Sequence, residues 1–563
     1  MPISTRTFAL AKGLLLAAAA LLVTPAASEA QERPHYDTPD LVVGIVVDQL
    51  RPDYLYRYWD LLSEGGLRRL VNEGFFFRNA HFRHGQTSTG PGHAAQYTGA
   101  TPAVHGLVGN SWYVRELDRS INVIEAVGSG FQGVGSLPDY DGEKGPVNML
   151  TTTVGDELYL HTGHRSRTVG ISRKDRGAIL PAGHTGSAYW YEGATGNFVT
   201  STFYRNELPD WLVEFNSRDL AQEYLTRTWE SLHPLERYQA SREDDNPYEG
   251  TIGGSTAFPF DLAYQVEEEG ASPSLLNTTP FSDELLFELA YAAIEGEGLG
   301  RGPVPDILAI APSATDAIGH RFGPASKQMQ DQILRLDGYL ADFLDYLDEE
   351  LGLENVLIFL TSDHGGAYIP HYLRDQGIAT GNPDAETHVS NQMLSALRDF
   401  LRERYGHDIL LAFSNQNLFL DHEVIESLGL ELAAVRSEVK RFMLTLEPVA
   451  GAVTADVLNA TEFTQGVRAA MQHSYNQKRS GDVVVWLKPQ TRSNTGTGGT
   501  GHGTPWAYDR HAPVLFFGYD VPAGQSTELV YVSDIASTVA TFLNSPFPSG
   551  NLGSPLNGLM RDH

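Results

Sequence analysis

The stretch of sequence that decides the fold runs from residue 305 to residue 366 and reads "PDILAIAPSATDAIGHRFGPASKQMQDQILRLDGYLADFLDYLDEELGLENVLIFLTSDHGG". Two apolar runs, "DILAIA" and "NVLIFL", lie near its ends, and acidic and histidine residues follow each of them. Such runs are typical of strands that are buried on both faces of a parallel sheet. Between the runs, apolar residues recur at helical spacing: Met329, Ile333, Leu336, Leu340, Phe343, Leu344 and Leu347. Gly352 follows as a typical helix stop, so the stretch predicts a strand–helix–strand unit and an α/β fold.

Other segments of the chain repeat this pattern. The segment "DLVVGIVVDQLRPDYL" (residues 40–55) predicts another buried strand that ends in polar residues. Residues 481–489 and 512–518 predict two late strands on either side of a loop rich in glycine and threonine. A final helix is predicted over residues 533–544. Together these segments predict a central, mostly parallel sheet flanked by helices.

Two long stretches interrupt the alternation of strands and helices. Residues 178–300 contain an aromatic, hairpin-like segment followed by helical patterns, and residues 370–480 are mostly helical and charged. We interpret both stretches as insertions that cap the sheet, because neither reads as a separate contiguous domain. The prediction is therefore one domain over residues 31–563, with capping insertions at about 178–300 and 370–480.

The first 30 residues are typical of a secretory signal peptide. Arg6 and Lys12 precede the apolar run "LLLAAAALLV" (residues 14–23), and small residues lead up to Ala30. The run is shorter than the roughly 20 apolar residues that a membrane-spanning helix needs. An N-terminal membrane anchor is the alternative, but we expect cleavage, no stable anchor, and a location in a bacterial periplasm or outside the cell.

Composition limits the kinds of function. The 563 residues carry 40 Lys and Arg against 70 Asp and Glu, which gives a formal net charge of −30. This balance argues against binding to a nucleic-acid duplex, which requires clustered positive charge. The chain has no cysteine, which excludes disulfides and thiolate metal ligands, so any metal must be held by oxygen or imidazole donors.

Acidic and histidine residues follow the ends of several predicted strands. In open α/β sheets, ligands bind beyond the carboxyl ends of the strands, and parallel strands present those ends at one edge. Oxygen and imidazole donors without sulfur suit Zn²⁺, Mn²⁺ and similar ions, and two such ions can act together in phosphoryl transfer. The alternative is that each acid caps a turn or helix and each histidine is an ordinary loop residue. The candidate ligands are Asp48, Asp316, His320, Asp363, His364 and His502.

Thr89 is the candidate nucleophile. It precedes "GPGHA", a tight turn that predicts a helix beginning near His93. Backbone N–H groups at a helix N-terminus favour a phosphate there, and a metal ion could activate the hydroxyl of the threonine. The alternative is an ordinary helix-capping threonine.

Positive charge for an anionic substrate comes from "GISRKDRGAIL" (residues 170–180). If this segment is extended, Lys174 and Arg176 face the same side while Arg173 and Asp175 face the other. Two cations aimed at one point stabilise the charge on phosphoryl oxygens. The alternative is a solvated run of charges.

The motifs taken together resemble a known family. The segments "VVDQLRPDYL", "TGPGHAAQYTGATPAVHGLVGNSWY", "RKDRGAILPAGH", "TDAIGH", "TSDHGG" and "GHGTPWAYDRHAPVLFFG" occur in this order. The set resembles the phosphate-irrepressible alkaline phosphatases with a threonine nucleophile, which are related to the nucleotide pyrophosphatase/phosphodiesterases. The resemblance spans about residues 40–545 and implies the alkaline phosphatase fold.

The resemblance also implies roles for individual residues. Thr89 would form a phosphothreonine, Asn110 would hydrogen-bond a phosphoryl oxygen, and Lys174 and Arg176 would bind the remaining oxygens. His511 is the alternative to His502 as a metal ligand. Two zinc ions would be bound, one by Asp48, Thr89, Asp363 and His364, and the other by Asp316, His320 and His502.

The expected activity is hydrolysis of small-molecule phosphate monoesters by a monomeric enzyme. A phosphodiesterase or nucleotide pyrophosphatase with the same metal site is the nearest alternative. A sulfatase is disfavoured because the chain has neither a cysteine nor the serine motif from which formylglycine is made, and a phosphoglycerate mutase is disfavoured by the export signal. A secreted, non-catalytic protein that binds metal or glycan is the alternative from another class.

Overall fold

A computed structural model of the chain describes residues 38–380, 389–491 and 499–559. The predicted signal peptide, residues 1–30, lies outside the described residues. The strands are β1 (Leu41–Val46), β2 (Phe75–His81), β3 (Ser111–Val114), β4 (Arg119–Asn122), β5 (Gly133–Val134), β6 (Thr168–Ser172), β7 (Ser187–Glu192), β8 (Asn197–Ser201), β9 (Thr228–Trp229), β10 (Phe260–Asp261), β11 (Asp306–Ala311), β12 (Val356–Thr361), β13 (Leu410–Ser414), β14 (Asn417–Leu420), β15 (Val449–Thr454), β16 (Val483–Leu487), β17 (His511–Gly518), β18 (Gly524–Ser526) and β19 (Val530–Tyr531).

The α-helices connect and cover these strands. They are α1 (Pro52–Arg57), α2 (Leu67–Glu73), α3 (Thr89–Thr98), α4 (Pro102–His105), α5 (Val154–His161), α6 (Asp175–Ala182), α7 (Asp210–Ser217), α8 (Leu220–Leu225), α9 (Leu262–Glu267), α10 (Phe281–Glu297), α11 (Ala314–Phe322), α12 (Lys327–Leu351), α13 (Pro370–Asp375), α14 (Val389–Tyr405), α15 (His422–Ser427), α16 (Leu432–Met443), α17 (Ala455–Ala460), α18 (Gly466–Ser474), α19 (Ala507–Arg510) and α20 (Asp534–Phe542).

The central sheet is mixed, with a parallel core. Its order is β18-β2-β17-β12-β1-β11-β6-β7-β8-β5, and β19 also pairs with β2. Strands β12, β1, β11, β6 and β7 run parallel, whereas β17 and β8 pair antiparallel on either side of them. Every residue of β1, β11 and β12 is buried, as strands covered by helices on both faces require. The predicted α/β fold with a mostly parallel sheet is confirmed.

Helix α12 connects two strands of this parallel core. Its N-cap Ser326 accepts a hydrogen bond from the backbone of Met329, and Gly352 follows its last turn with a φ of 76°. The seven apolar positions predicted from the helical spacing are all fully buried. Packing this stripe against the sheet stabilises both elements, since each buried leucine or phenylalanine contributes roughly 1.5–3 kcal/mol.

A second, smaller sheet has the order β13-β14-β16-β15, and we call it the cap sheet. Helices α14 and α16 pack against it around a separate cluster of buried apolar residues. The predicted late strand at residues 481–489 belongs to this sheet, as β16, and the one at residues 512–518 belongs to the central sheet, as β17.

The aromatic hairpin within residues 178–300 forms β7 and β8, which extend the central sheet. The boundaries of the two predicted insertions stay predictions. In the part of the chain that the structure describes, no helix combines the length and the apolar character needed to cross a bilayer.

Candidate metal centre and active site

Neighbouring parallel strands bring the predicted ligands to one edge of the central sheet. Asp48 follows β1, Asp316 and His320 lie on α11 directly after β11, and Asp363 and His364 follow β12. Because the strands lie side by side in the order β12-β1-β11, the carboxyl ends of all three open onto the same space.

Distances between ligand atoms place two groups of possible metal ligands at this edge. One group is Asp316, His320 and His502, and the other is Asp48, Asp316 and His364; within each, the ligand atoms lie within 4.8 Å of one another. His320 Nε2 lies 3.1 Å from Asp316 Oδ1, as the spacing of four residues on one helix predicts. Asp316 is therefore common to both groups.

The histidines are oriented in the way that metal ligands usually are. Nδ1 of His320 lies 3.0 Å from the carbonyl of Thr500, and Nδ1 of His502 lies 2.8 Å from the carbonyl of Thr87. His364 makes the same kind of contact with the Gly365 carbonyl, at 2.9 Å. A carbonyl can only accept, so each Nδ1 carries the proton. Where the ring is neutral, its Nε2 then has a free lone pair, which is the arrangement found around bound metals. Burial acts to lower the pKa of His320, but the charge of Asp316 raises it above its usual value.

Several buried polar atoms at this edge lack a hydrogen-bond partner among the described groups. They include Oγ1 of Thr89, Oδ2 of Asp363, Nε2 of His364 and Oδ1 of Asp48. Asp363 Oδ2 lies 3.6 Å from His364 Nε2, so it faces the same space. Leaving buried acceptors without a donor is unfavourable, and a bound cation removes that cost. The donors present fit divalent ions such as Zn²⁺.

The electrostatics of the cluster also favour a cation. Burial raises the pKa of the Asp363 carboxyl well above its usual value, and the charge of Asp48 raises it further. Burial lowers the pKa of His502 well below its usual value, and His364 and His320 add to this effect. Burial also lowers the pKa of His364. The His502 and His364 imidazoles are thus held in the neutral form that binds metal.

Thr89 is the first residue of helix α3, and its side chain is buried beside the cluster. The helix begins at Thr89, so the predicted start near His93 was wrong. Proline lacks a backbone N–H, but the N–H groups of a first helical turn have no acceptor within the helix, so the sequence "TGPG" is tolerated there. Asn110 lies next to the start of this helix, because its Oδ1 accepts a 2.7 Å hydrogen bond from the backbone N–H of Gly90.

The condition for strand alternation in the cationic segment is not met as far as Arg176. Strand β6 ends at Ser172 and helix α6 begins at Asp175, so Arg176 is helical and does not alternate with Lys174. Lys174 nevertheless reaches the cluster, because it is the residue immediately before the helix. Its Nζ lies 2.6 Å from Asp48 Oδ2 and 2.6 Å from Asp316 Oδ2. Arg176 lies in the first turn of α6, and its Nε has no partner among the described groups.

His511, the alternative to His502, lies elsewhere. It begins β17, its ring stacks on His81 with centroids 4.7 Å apart, and its Nε2 lies 3.0 Å from the carbonyl of Arg78. In contrast, the His502 ring stacks on His364 with centroids 3.6 Å apart. The geometry therefore favours His502 as the ligand.

Two residues at the site were missed by the sequence reasoning. Gln49 has a φ of 64°, which is unfavourable for a residue other than glycine; its side chain donates to Asp316 Oδ1 at 2.6 Å and its backbone to Asp363 Oδ1 at 3.1 Å. His93 is fully buried, and its Nδ1 lies 3.5 Å from Asp363 Oδ2. For His93, the sequence did contain a signal: it lies four residues after Thr89, which places both residues on the same face of a helix.

Comparisons with known proteins show which chains this one is similar to. Alkaline phosphatase PafA of Elizabethkingia meningoseptica is 36% identical, over 95% of this chain and 97% of its own length. Alkaline phosphatase PhoV of Synechococcus elongatus is 37% identical, over 93% of each chain. The crystal structure of wild-type alkaline phosphatase PafA superimposes with a TM-score of 0.87 at 36% identity, over 92% of this chain and 99% of the other.

The match to a family covers most of the chain. Residues 42–513 match the type I phosphodiesterase/nucleotide pyrophosphatase family. This range includes every predicted site residue, from Asp48 to His502. The chain belongs to the type I phosphodiesterase/nucleotide pyrophosphatase family.

Proposed function

We propose that this protein is an alkaline phosphatase that hydrolyses small-molecule phosphate monoesters with Thr89 as nucleophile and two zinc ions as cofactors. The observation that carries the proposal is the unpartnered, buried Thr89 hydroxyl, together with two ligand groups that share Asp316. His93 links the two, since its Nδ1 lies 3.0 Å from the Thr89 carbonyl and 3.5 Å from Asp363 Oδ2. The names of the relatives that match over almost the whole chain support the same activity.

The first step is attack by Thr89 Oγ1 on the phosphorus atom, in line with the bond to the leaving alcohol. The P–O bond to the alcohol breaks, the alcohol takes up a proton, and Thr89 becomes a phosphothreonine. Water then attacks the phosphothreonine and releases inorganic phosphate and the free Thr89 hydroxyl. When bound, the metal ions supply the positive charge that activates a hydroxyl and neutralises the leaving oxygen.

The ligands would divide between the two ions as the family resemblance implies. Asp48, Thr89, Asp363 and His364 would hold one ion. Asp316, His320 and His502 would hold the other. The Oδ1 of Asp316 lies within reach of both His320 and His502, at 3.1 and 3.7 Å from their Nε2 atoms, which supports the second set.

The phosphoryl oxygens are bound by Lys174, Arg176 and Asn110. Lys174 sits at the centre of the cluster, between Asp48 and Asp316, so its ammonium group can turn to an incoming phosphate once cations neutralise those carboxylates. The free Nε of Arg176 and the amide of Asn110 supply further donors. Donors fixed before the reaction stabilise the charge that develops in the transition state.

Two cations near the phosphoryl group favour a monoester over a diester. A monoester dianion carries one more negative charge than a diester, so each added cation stabilises it more. The test compares kcat/KM for p-nitrophenyl phosphate and methyl p-nitrophenyl phosphate. We expect the monoester to be preferred, and a large preference for the diester would instead identify a phosphodiesterase.

We also infer a location and an assembly state. Residues 1–30 act as a secretory signal, so the mature enzyme is periplasmic or secreted, and it works as a monomer. Mass spectrometry of the mature chain tests the cleavage after Ala30, and sedimentation tests the assembly state.

A further inference from the structure

A cavity of about 330 Å³ lies between the cap sheet and the loop that carries His502. Residues 500–504 line it, and so do Phe413, Val485 and Leu487 of the cap sheet. Its volume is at the lower end of the range for small-molecule sites, roughly 300–1,000 Å³. The cavity therefore borders a predicted metal ligand, and the cap sheet supplies part of its lining.

The turn between β13 and β14 holds the cap sheet at this position. Asn415 and Gln416 have φ angles of 49° and 64°, so two residues other than glycine occupy a tight hairpin turn that favours glycine. The Gln416 side chain donates to the Gly503 carbonyl, next to His502, and the Asn415 side chain donates to the Ser111 carbonyl at 2.5 Å. The turn thus connects the segment that carries His502 with the segment that carries Asn110.

The chemistry of the walls indicates what the cavity can bind. Tyr368, Tyr508 and Phe413 contribute aromatic side chains, and Val485 and Leu487 contribute aliphatic ones. The other described lining side chains are the His502 imidazole, the Pro370 ring, amides, hydroxyls and small groups, and no lysine, arginine, aspartate or glutamate is among the described lining residues. An uncharged ring would be stabilised by contact with the aromatic and aliphatic lining. A charged group would lose its hydration there and meet no opposite charge among the described lining residues, which is unfavourable.

A second opening beside the site has the opposite character. It is a shallower cavity of about 580 Å³, lined by Arg173 and Arg321 together with Asp316 and His320. Its arginines suit a leaving group with an added negative charge. The two cavities border different ligands of the same predicted metal group, so they are alternative positions for the leaving alcohol.

We propose that the cavity between the cap sheet and the loop that carries His502 binds the leaving group. The preferred substrates are then phosphate monoesters whose alcohol carries an uncharged aromatic ring. The inference rests on the proposed monoesterase function, since it concerns the alcohol that this reaction releases. Phe413 and Gln416 act by binding and positioning and take no part in bond making.

The test compares alcohols of similar acidity, so that differences in rate report contacts and not leaving-group chemistry. Benzyl phosphate supplies an uncharged ring, ethyl phosphate supplies none, and 2-carboxyethyl phosphate supplies a negative charge. We expect kcat/KM for benzyl phosphate to exceed that for ethyl phosphate by about 10-fold or more, which is the usual discrimination by an apolar pocket. We expect 2-carboxyethyl phosphate to be the poorest of the three.

Variants of the cap sheet link this preference to the cavity. Phe413→Ala should reduce the benzyl-to-ethyl ratio about 3- to 10-fold, because the aromatic contact is lost. Gln416→Gly suits the positive φ of the turn and removes the side-chain contacts with Gly503 and Gln86, so it should reduce the ratio by raising KM for benzyl phosphate. Leu411→Ala is the matched control: Leu411 is on the same strand, 38% exposed and not part of the cavity, so the ratio should stay the same.

The outcomes separate the two proposals. Absence of turnover for all three monoesters contradicts the proposed function itself. Turnover of all three at similar kcat/KM, or a preference for 2-carboxyethyl phosphate, leaves the monoesterase intact and overturns the proposed leaving-group cavity. A benzyl preference that survives Phe413→Ala and Gln416→Gly unchanged also overturns it.

Discussion

Two buried carboxylate sites in this molecule differ in how their charge is compensated. Asp482, between the cap sheet and the segment after β3, accepts hydrogen bonds from the side chains of Arg115, His422 and Arg436 and from the backbone of Leu420, at 2.5–2.9 Å. Asp48, at the edge of the central sheet, has Lys174 Nζ 2.6 Å from its Oδ2, whereas its Oδ1 accepts no hydrogen bond from a described group.

The two sites also differ in how the cost of burial is offset. Burial acts to raise the pKa of Asp482, but the hydrogen bond from His422 and the charge of Arg115 hold it well below its usual value. At the sheet edge, burial acts to raise the pKa of Asp48 and Asp316, but the charge of Lys174 holds both below their usual values. Burial and the charge of Asp48 raise the pKa of Asp363 well above its usual value. The Asp482 network is complete within the described protein, whereas an added cation at the sheet edge would stabilise the charged form of Asp363.

The largest expected effect comes from removing the nucleophile at the sheet edge. Thr89→Ala should lower kcat/KM for p-nitrophenyl phosphate by on the order of 10⁴-fold, because no hydroxyl remains to form the phosphothreonine. Thr89→Ser keeps a hydroxyl and should retain far more activity. Equal activity of wild type and Thr89→Ala in a steady-state assay would show that another group attacks phosphorus.

The next effect concerns the cations. Lys174→Ala and Arg176→Ala should each lower kcat/KM for the monoester by about 10²- to 10³-fold, as expected for a donor to transition-state charge. The effect on methyl p-nitrophenyl phosphate should be smaller, since a diester carries less charge. Parallel measurements on both substrates check this, and equal losses on the two substrates would assign the cations a purely structural role.

Substitutions in the Asp482 network should change the free energy of unfolding. Asp482→Ala removes the buried carboxylate that Arg115, His422 and Arg436 share, and we expect it to lower the free energy of unfolding by about 3–5 kcal/mol in urea titrations. Asp456, which also pairs with Arg436 at 2.7 Å but is 44% exposed, provides the control. Asp456→Ala should change stability by less than about 1 kcal/mol. Similar results for both variants would contradict the contrast between the two sites.

The pH dependence of stability should follow from the same network. The pKa of Asp482 is lowered in the folded state, so its contribution is present above the unfolded value of about 3.9 and is lost as the pH falls below it. The difference in melting temperature between wild type and Asp482→Asn should therefore be largest near neutral pH and shrink below about pH 4. A difference that grows with acidity contradicts this assignment.

Much of the sheet and its edge could be predicted from the sequence because both depend on local patterns. The strand–helix–strand unit and the pair Asp316 and His320 follow from apolar periodicity and from the helical spacing of four residues. The geometry of the cationic segment could not be predicted locally, since "RKDR" is compatible with a strand or with a turn into a helix. Three features could not be predicted because they depend on the tertiary fold. They are the unpartnered Oδ1 of Asp48, the positive φ of Gln49 and the contact of Gln416 with Gly503.

The most direct test of the central claim is the metal content of the purified protein together with its activity. We predict about two zinc ions per chain, loss of phosphatase activity when a chelator removes them, a lower melting temperature of the stripped protein, and recovery of both on adding zinc. A protein stripped of metal that keeps full activity and an unchanged melting temperature would contradict the claim that cations complete the carboxylate cluster at the sheet edge.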